Sequence, residues 1–215
     1  MRTHRLPLTA LFTALGALSG CTGIFHSDAP ALQLYVLQPA AASAAPVARP
    51  GVSPSLRIMR PLPAPGLNTD RIALLRPGNR LDYYAGSRWS GPLADVLSDL
   101  QLATFNADPA WQAVADDRSS FNAEYLLQTT IDQFTADYAS ESGPPVVRVS
   151  LHCLLIRRSD GSLLGSFAVT QSAAAQENKL ASVISAFQQV ANEAVKAMAA
   201  QSDQLLSSVK SPGSP

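Results

Sequence analysis

Cysteine is nearly missing from this chain. Its 215 residues include two, Cys21 and Cys153, too few for a disulfide framework and without the paired spacing that ligates a metal. Charge is sparse as well: 15% of residues are charged, with 16 Lys+Arg against 16 Asp+Glu and a formal net charge of zero. That balance excludes a strongly charged disordered chain. It also lacks the basic excess with which nucleic-acid binders displace counterions from phosphates, so no nucleic-acid partner is expected. No Gly-x-Ser-x-Gly, phosphate-cradling Gly-rich loop or His-Glu-x-x-His occurs. Of three histidines, His4 and His26 lie near the N-terminus, leaving His152 as the one imidazole a folded domain would have for nucleophilic catalysis. In a strand, His152 and Cys153 point to opposite faces and cannot pair. His152 reads as a polar residue on the outer face, and Cys153 as a small buried hydrophobe. No catalytic residues, cofactor or metal site are expected.

What the chain does contain begins at its N-terminus. Arg2 and Arg5 precede an uncharged stretch from Leu6 to Ser19 with Leu8, Leu11, Phe12, Leu15 and Leu18, the layout of a secretory signal and shorter than the roughly 20 apolar residues of a membrane span. Leu18-Ser19-Gly20-Cys21 resembles the bacterial lipobox, in which the cysteine is acylated and becomes the first residue. Two or three acyl chains, at about 0.8 kcal/mol per buried methylene, anchor a protein stably without crossing the bilayer. Thr22, rather than Asp, follows the acylated position and implies the outer membrane. The expected boundaries are a signal peptide at 1–20, a lipidated tether at 21–30, a folded domain at 31–206 and a flexible tail at 207–215.

Within the domain, Leu32, Leu34 and Val36 alternate with Gln33, Tyr35 and Leu37 and predict a short strand. The Ala/Pro-rich stretch from Pro39 to Pro54 predicts a long surface loop. Strands follow at Leu56 to Met59, Ile72 to Leu75 and Leu81 to Tyr84, with a rigid turn at Pro61 to Gly66 and a hairpin turn at Pro77-Gly78-Asn79. Ser90 is placed to cap a helix that has Pro92 in its first turn and Leu93, Val96, Leu97 and Leu100 on one face, ending near Phe105. Trp89, just ahead of the cap, reads as a hydrophobic staple. Alternation over 121–132 and again over Val147 to Leu155 predicts two strands with one buried face, and Asp160-Gly161 turns the second into a hairpin with Leu163, Phe167 and Val169. Val183, Ile184, Phe187, Val190, Ala194 and Met198 lie on one stripe of a final helix from about Asn178 to Leu205. The expected class is α+β: an antiparallel or mixed sheet with two main helices on one face.

Charge is uneven along the chain. Residues 49–88 hold Arg49, Arg57, Arg60, Arg71, Arg76, Arg80 and Arg88 against Asp70 and Asp82, a balance of +5, whereas residues 89–215 carry −6. Arginine's planar fork suits carboxylates and phosphates. The segment therefore reads either as a docking surface for an acidic partner or lipid headgroups, or as arginines solvated or paired within the domain.

Leu67-Asn68-Thr69-Asp70-Arg71-Ile72, Arg76, Leu81-Asp82-Tyr83-Tyr84 and Arg88-Trp89-Ser90-Gly91-Pro92-Leu93, together with the lipobox and Tyr35-Val36-Leu37, resemble the ABC-type transport auxiliary lipoproteins, the Pqi-type outer-membrane component of lipid transport systems. The chain departs from the family pattern at Ile72-Ala73 and in its Ala/Pro-rich insertion. The resemblance implies a non-enzymatic, periplasm-facing outer-membrane lipoprotein that works with an Mce-type substrate-binding protein and an ABC permease and ATPase. It makes Arg71, Arg76 and Arg88 the leading partner contacts, and self-association is left open. The second reading is an outer-membrane assembly or pilotin-like lipoprotein that binds a protein client.

The lipobox yields the first prediction. Cys21→Ser is expected to leave the protein unprocessed or soluble, read by intact mass and membrane fractionation; an unchanged mass and membrane partition would show that Cys21 carries no anchor.

Overall fold

The computed structural model describes residues 31–40 and 53–210. The signal segment, Cys21, the tether, most of the Ala/Pro-rich stretch and the last five residues lie outside the described residues. In chain order the elements are β1 (Gln33–Tyr35), β2 (Ser55–Ile58), β3 (Leu62–Pro63), β4 (Arg71–Arg76), β5 (Arg80–Trp89), α1 (Leu93–Asn106), β6 (Ala113–Asp116), β7 (Tyr125–Asp137), β8 (Val146–Arg157), β9 (Leu163–Ala174) and α2 (Leu180–Lys210). They form one mixed sheet with both helices on the same face, the α+β class expected from the sequence.

The sheet is organised around β7. One edge of β7 pairs antiparallel with β8, which pairs with β9. Its other edge is shared by three short segments laid end to end, all parallel to it: β2 against Leu56↔Tyr125 to Ile58↔Leu127, β3 against Thr130 and Ile131, and β4 against Ala136 and Asp137. β6 extends the sheet beyond β2, while β5 and then β1 extend it beyond β4. β1 is thus an edge strand, parallel to the end of β5.

The helix-facing side of the sheet is apolar by alternation. Leu127, Thr129 and Ile131 on β7 and Val147, Val149, Leu151, Cys153 and Leu155 on β8 are buried. After Ile131 the parity changes. Asp132 has no partner in the β7–β8 register, a bulge that returns Phe134 and Ala136 to the buried side. Phe134 there stacks on Phe187 of α2 at 5.2 Å between ring centroids, and Trp89 meets both rings edge-on at 5.9 and 5.3 Å. A second link joins both helices to the sheet: the Gln101 amide on α1 donates to Thr129 Oγ1 at 2.9 Å and to Met198 Sδ on α2 at 3.2 Å. α2, at roughly 1.5 Å per residue about 46 Å long, lays Val183, Phe187, Val190, Ala194, Val195 and Met198 on the core. The Leu205 side chain packs over Gly165 of β9, where a Cβ would sit 2.6 Å from Leu205 Cδ2 and displace it.

Several local expectations are corrected. Trp89 is not a staple: β5 runs on to it, and its alternation turns the indole into the core at 1% exposure. Ser90 does not cap α1. Its N–H is spent on Tyr35 O, Pro92 occupies the cap with extended ψ, and the Leu93 N–H is satisfied by Thr69 O at 2.9 Å. Around the first strand Tyr35 and Leu37 turn inward, whereas Leu32, Leu34 and Val36 are exposed. Within Pro61 to Gly66, Leu62 and Pro63 pair with β7 as a strand, so the turn starts later. The 121–132 strand begins at Tyr125, leaving Phe121 exposed, and reaches Asp137. β6 was not anticipated, and α2 starts at Leu180 and continues to Lys210. The Pro77-Gly78-Asn79 turn is as expected. Positive φ at both Gly78 and Asn79 gives the backbone twist that suits a tight hairpin.

The facing of β8 is testable. Leu151 is fully buried, whereas Ser150 faces outward with its hydroxyl 3.1 Å from Thr170. Leu151→Asp, which buries a carboxylate without a partner, is expected to cost on the order of 3 kcal/mol or more. Ser150→Asp should cost within about 1 kcal/mol. Urea unfolding of the two variants checks this, and equal losses would mean the faces are misassigned.

Candidate functional site

The N-terminal end of the described domain is strapped down. After β1, Leu37 is buried at 5% exposure, and the chain then crosses α2. There the Gln38 N–H donates to Gln188 Oε1 at 2.9 Å, and the Ala40 N–H donates to Asn192 Oδ1 at 2.6 Å. Both amide side chains return donors to Gln38 O. Gln188 and Asn192 are four residues apart, so they project from the same face of α2 and grip one short stretch of backbone from both sides. The segment that leaves β1 is therefore fixed to the longest helix.

The three arginines singled out by sequence lie on one hairpin, at two ends of it. Arg71 and Arg88 are cross-strand partners, and Leu34 of β1 is the register partner of Arg88. Paired residues share a face, so Leu34, Arg88 and Arg71 form a row across three strands on the side away from the helices. Arg88 Nη1 lies 2.9 Å from both oxygens of Asp70. Arg71 is exposed, its guanidinium carbon 3.8 Å from the centroid of the Tyr83 ring. It has no carboxylate within ion-pair distance among the described residues. At the other end, Arg76 contacts Asp82 at 3.1 Å and Glu141 at 2.6 Å, and Arg80 approaches Glu141 at 3.7 Å. The Tyr83 N–H, and after it Arg76, hold the Asp82 carboxyl below its ordinary pKa. Arg60 does the same for Asp95 through a 2.7 Å contact. Much of the arginine-rich segment thus finds acids of its own domain, and Arg71 stands out as the one of the three held by a ring instead.

His152 sits on the outer face with Nε2 3.5 Å from Ser166 Oγ. No carboxylate lies within ion-pair distance of it among the described residues. Cys153 is fully buried next to Thr129, and burial pushes its thiol pKa up to about 12. Among the described residues no group of three or more His, Cys, Asp or Glu is placed to hold a metal, and no helix is long and apolar enough to cross a membrane. A cleft of about 590 Å³ opens where β7 begins and β8 ends, between Asn122 to Tyr125 and Arg157 to Ser159. The Arg158 N–H donates to Glu124 O at 2.8 Å, and Arg157 is within 3.4 Å of Asp160. Sequence reasoning did not single out this pair, because an arginine doublet before a hairpin turn looks like any solvated turn.

A comparison with family models matches residues 35–199 to the ABC-type transport auxiliary lipoprotein component. Among solved structures, a Xanthomonas campestris protein superposes with a TM-score of 0.71 at 23% identity, covering 83% of this chain and 99% of that one. A second, described as an uncharacterized protein, has a TM-score of 0.63 at 14% identity, covering 80% and 98%. At these identities the two structures speak for the fold alone. A comparison with curated proteins finds no match.

Cys153 gives the prediction of this section. Its thiol should resist maleimide at pH 8 in the folded protein and react once urea unfolds the chain. The folded thiol keeps its proton to about 12, whereas an ordinary one releases it near 9.0. Its contribution to stability is therefore complete below the lower value and declines as pH rises between the two. Rapid labelling of the native protein would place Cys153 outside the core.

Proposed function

The chain belongs to the ABC-type transport auxiliary lipoprotein family, and from that premise we propose that it is a non-enzymatic outer-membrane accessory of an Mce-type lipid transport system. In this reading Cys21 carries the acyl anchor, the domain faces the periplasm, and its surface docks the outer end of a conduit formed by an Mce-type substrate-binding protein. An inner-membrane permease and ATPase supply the energy. The observation that carries the reading is the family match from Tyr35 to Ala199, preceded in the sequence by a lipobox ending at Cys21.

The geometry adds a physical rationale. An adaptor held by an anchor at one end must transmit load into its core, and here the chain enters through β1 paired with β5 and is then strapped to α2 at Gln38 and Ala40. A docking module also needs charge aimed outward. Arg71, Arg76 and Arg88 are the proposed contacts with an acidic partner surface or anionic headgroups. Arg71 leads because it is exposed and its guanidinium is not neutralised by a carboxylate among the described residues.

Tagged full-length protein, extracted in mild detergent, is expected to co-purify an Mce-type protein. Recovery of a secretin or an outer-membrane barrel in its place would support the pilotin-like reading. Arg71→Glu, Arg76→Glu and Arg88→Glu, each in protein that still folds, should weaken that co-purification or membrane contact and change its salt dependence. Unaltered behaviour of all three across salt concentrations would move the docking surface elsewhere.

A further inference from the structure

The edge strand β1 and the residues on either side of it expose three large apolar side chains: Leu32 at 54%, Leu34 at 61% and Val36 at 58%. They are exposed because this stretch turns Tyr35 and Leu37 inward, which leaves Leu32, Leu34 and Val36 on the outer side. Nothing on β5 or β4 covers them. What lies beside them is charge, since Leu34 is in register with Arg88, and Arg88 with Arg71. Arg88 is bound to Asp70, so the net positive charge of this group rests on Arg71, raised on the Tyr83 ring.

We propose that this row is a membrane-contact surface: Leu32, Leu34 and Val36 enter the headgroup region of an anionic lipid surface, and Arg71 binds lipid phosphate beside them. The proposal rests on the anchoring reading above and deepens it by naming what the outer face of β1 meets. Three arguments favour a bilayer. The first is reach. Ten residues separate Cys21 from Leu32, which at about 3.3–3.6 Å each holds the patch within roughly 40 Å of an acylated Cys21. The second is chemistry, because apolar side chains flanked by a guanidinium match the layered polarity of a lipid interface, and arginine forks suit phosphate. The third is size. Three side chains on a five-residue stretch fall well short of the about 800 Å² that each partner gives to a stable protein interface. The free edge of β1 limits the depth: unpaired backbone N–H and C=O groups are not tolerated in hydrocarbon, so only side chains dip in. The strap onto α2 keeps the patch rigid, so that contact would also set the orientation of the domain.

The test uses the full chain in vesicles of phosphatidylcholine, with or without phosphatidylglycerol, carrying an environment-sensitive fluorophore on Leu34→Cys. Cys153 is buried and its thiol stays protonated, and an acylated Cys21 is blocked, so labelling is selective. The control label is on Leu163→Cys, an equally exposed residue on the opposite edge strand β9. The Leu34 label is expected to shift to the blue and to be quenched by bromine-bearing lipid, more strongly with phosphatidylglycerol, and Arg71→Glu should reduce both effects while the Leu163 label does not respond. If the acylated protein floats with vesicles but its Leu34 label behaves like the Leu163 label, the surface proposal is overturned and the anchor stands. A blue shift without quenching means a second copy covers the strand, which also overturns it. A wild-type mass without acyl chains defeats the anchoring reading alone. In that case the Leu34 label on a Cys21→Ser background, at raised lipid concentration, still decides whether the surface binds.

Discussion

One unpaired residue in the middle of β7 sets the rest of the domain. β7 must serve two sets of partners, the long β8 on one edge and three short parallel segments on the other. Up to Ile131 its odd-numbered residues face the helices; beyond Asp132 its even-numbered residues do. Had the strand stayed regular, Phe134 and Ala136 would point to solvent and Gln133 and Thr135 into the core. The bulge prevents that and places Phe134 in mutual ring contact with Trp89 and Phe187. Such aromatic contacts add about 0.5–1.5 kcal/mol each beyond the area they bury. This cluster also ties the β4–β5–β1 leaf, where the proposed contacts sit, to α2.

That connection bears on function. The leaf carries the outward row of Leu34, Arg88 and Arg71, and the chain leaving it is gripped by Gln188 and Asn192. The ion pairs decorating the hairpin add little to stability, because exposed pairs contribute about 0–1 kcal/mol. Their effect is positional: Asp70 and Glu141 hold Arg88 and Arg76 in place, while Arg71 is lifted by a ring. The buried thiol at Cys153 and the outward imidazole at His152 are separated by the sheet itself, so the two groups that invite a catalytic reading do not meet.

Much of this was legible in the residue pattern. Val147 to Leu155 alternates cleanly because β8 is paired along its whole length on both edges and the extra residue of the bulge lies on β7, and the apolar stripe of α2 is continuous because one face of the helix packs on the sheet. The hairpin turns at Gly78-Asn79 and Asp160-Gly161 are local and were read locally. What escaped depends on distant partners. Alternation cannot reveal that Asp132 is skipped, since the register belongs to β8. The buried face of β1 is decided by Tyr35 meeting Trp89, and three apolar residues on the other face point the wrong way. Ser90 looks like a cap, but α1 starts only at Leu93, with Pro92 in the cap position and the Leu93 N–H taken by Thr69 O. β6 has little period because all four of its residues are half-buried. For the site, the arginines could be named from sequence, but the row with Leu34 could not. It exists only because β1 returns to lie beside β5.

The central claim is that Asp132 is a bulge residue and that the parity of β7 on either side of it builds the core. The most direct test compares two single-residue deletions by equilibrium unfolding and near-ultraviolet circular dichroism. Deleting Asp132 leaves Ile131 and Phe134 on the buried face with Gln133 between them. The account predicts a cooperative transition and a retained aromatic signal. Deleting Thr130 turns Ile131 outward and Asp132 inward, and the account predicts loss of both. Equal damage from the two deletions, or a worse result for Asp132, would contradict it.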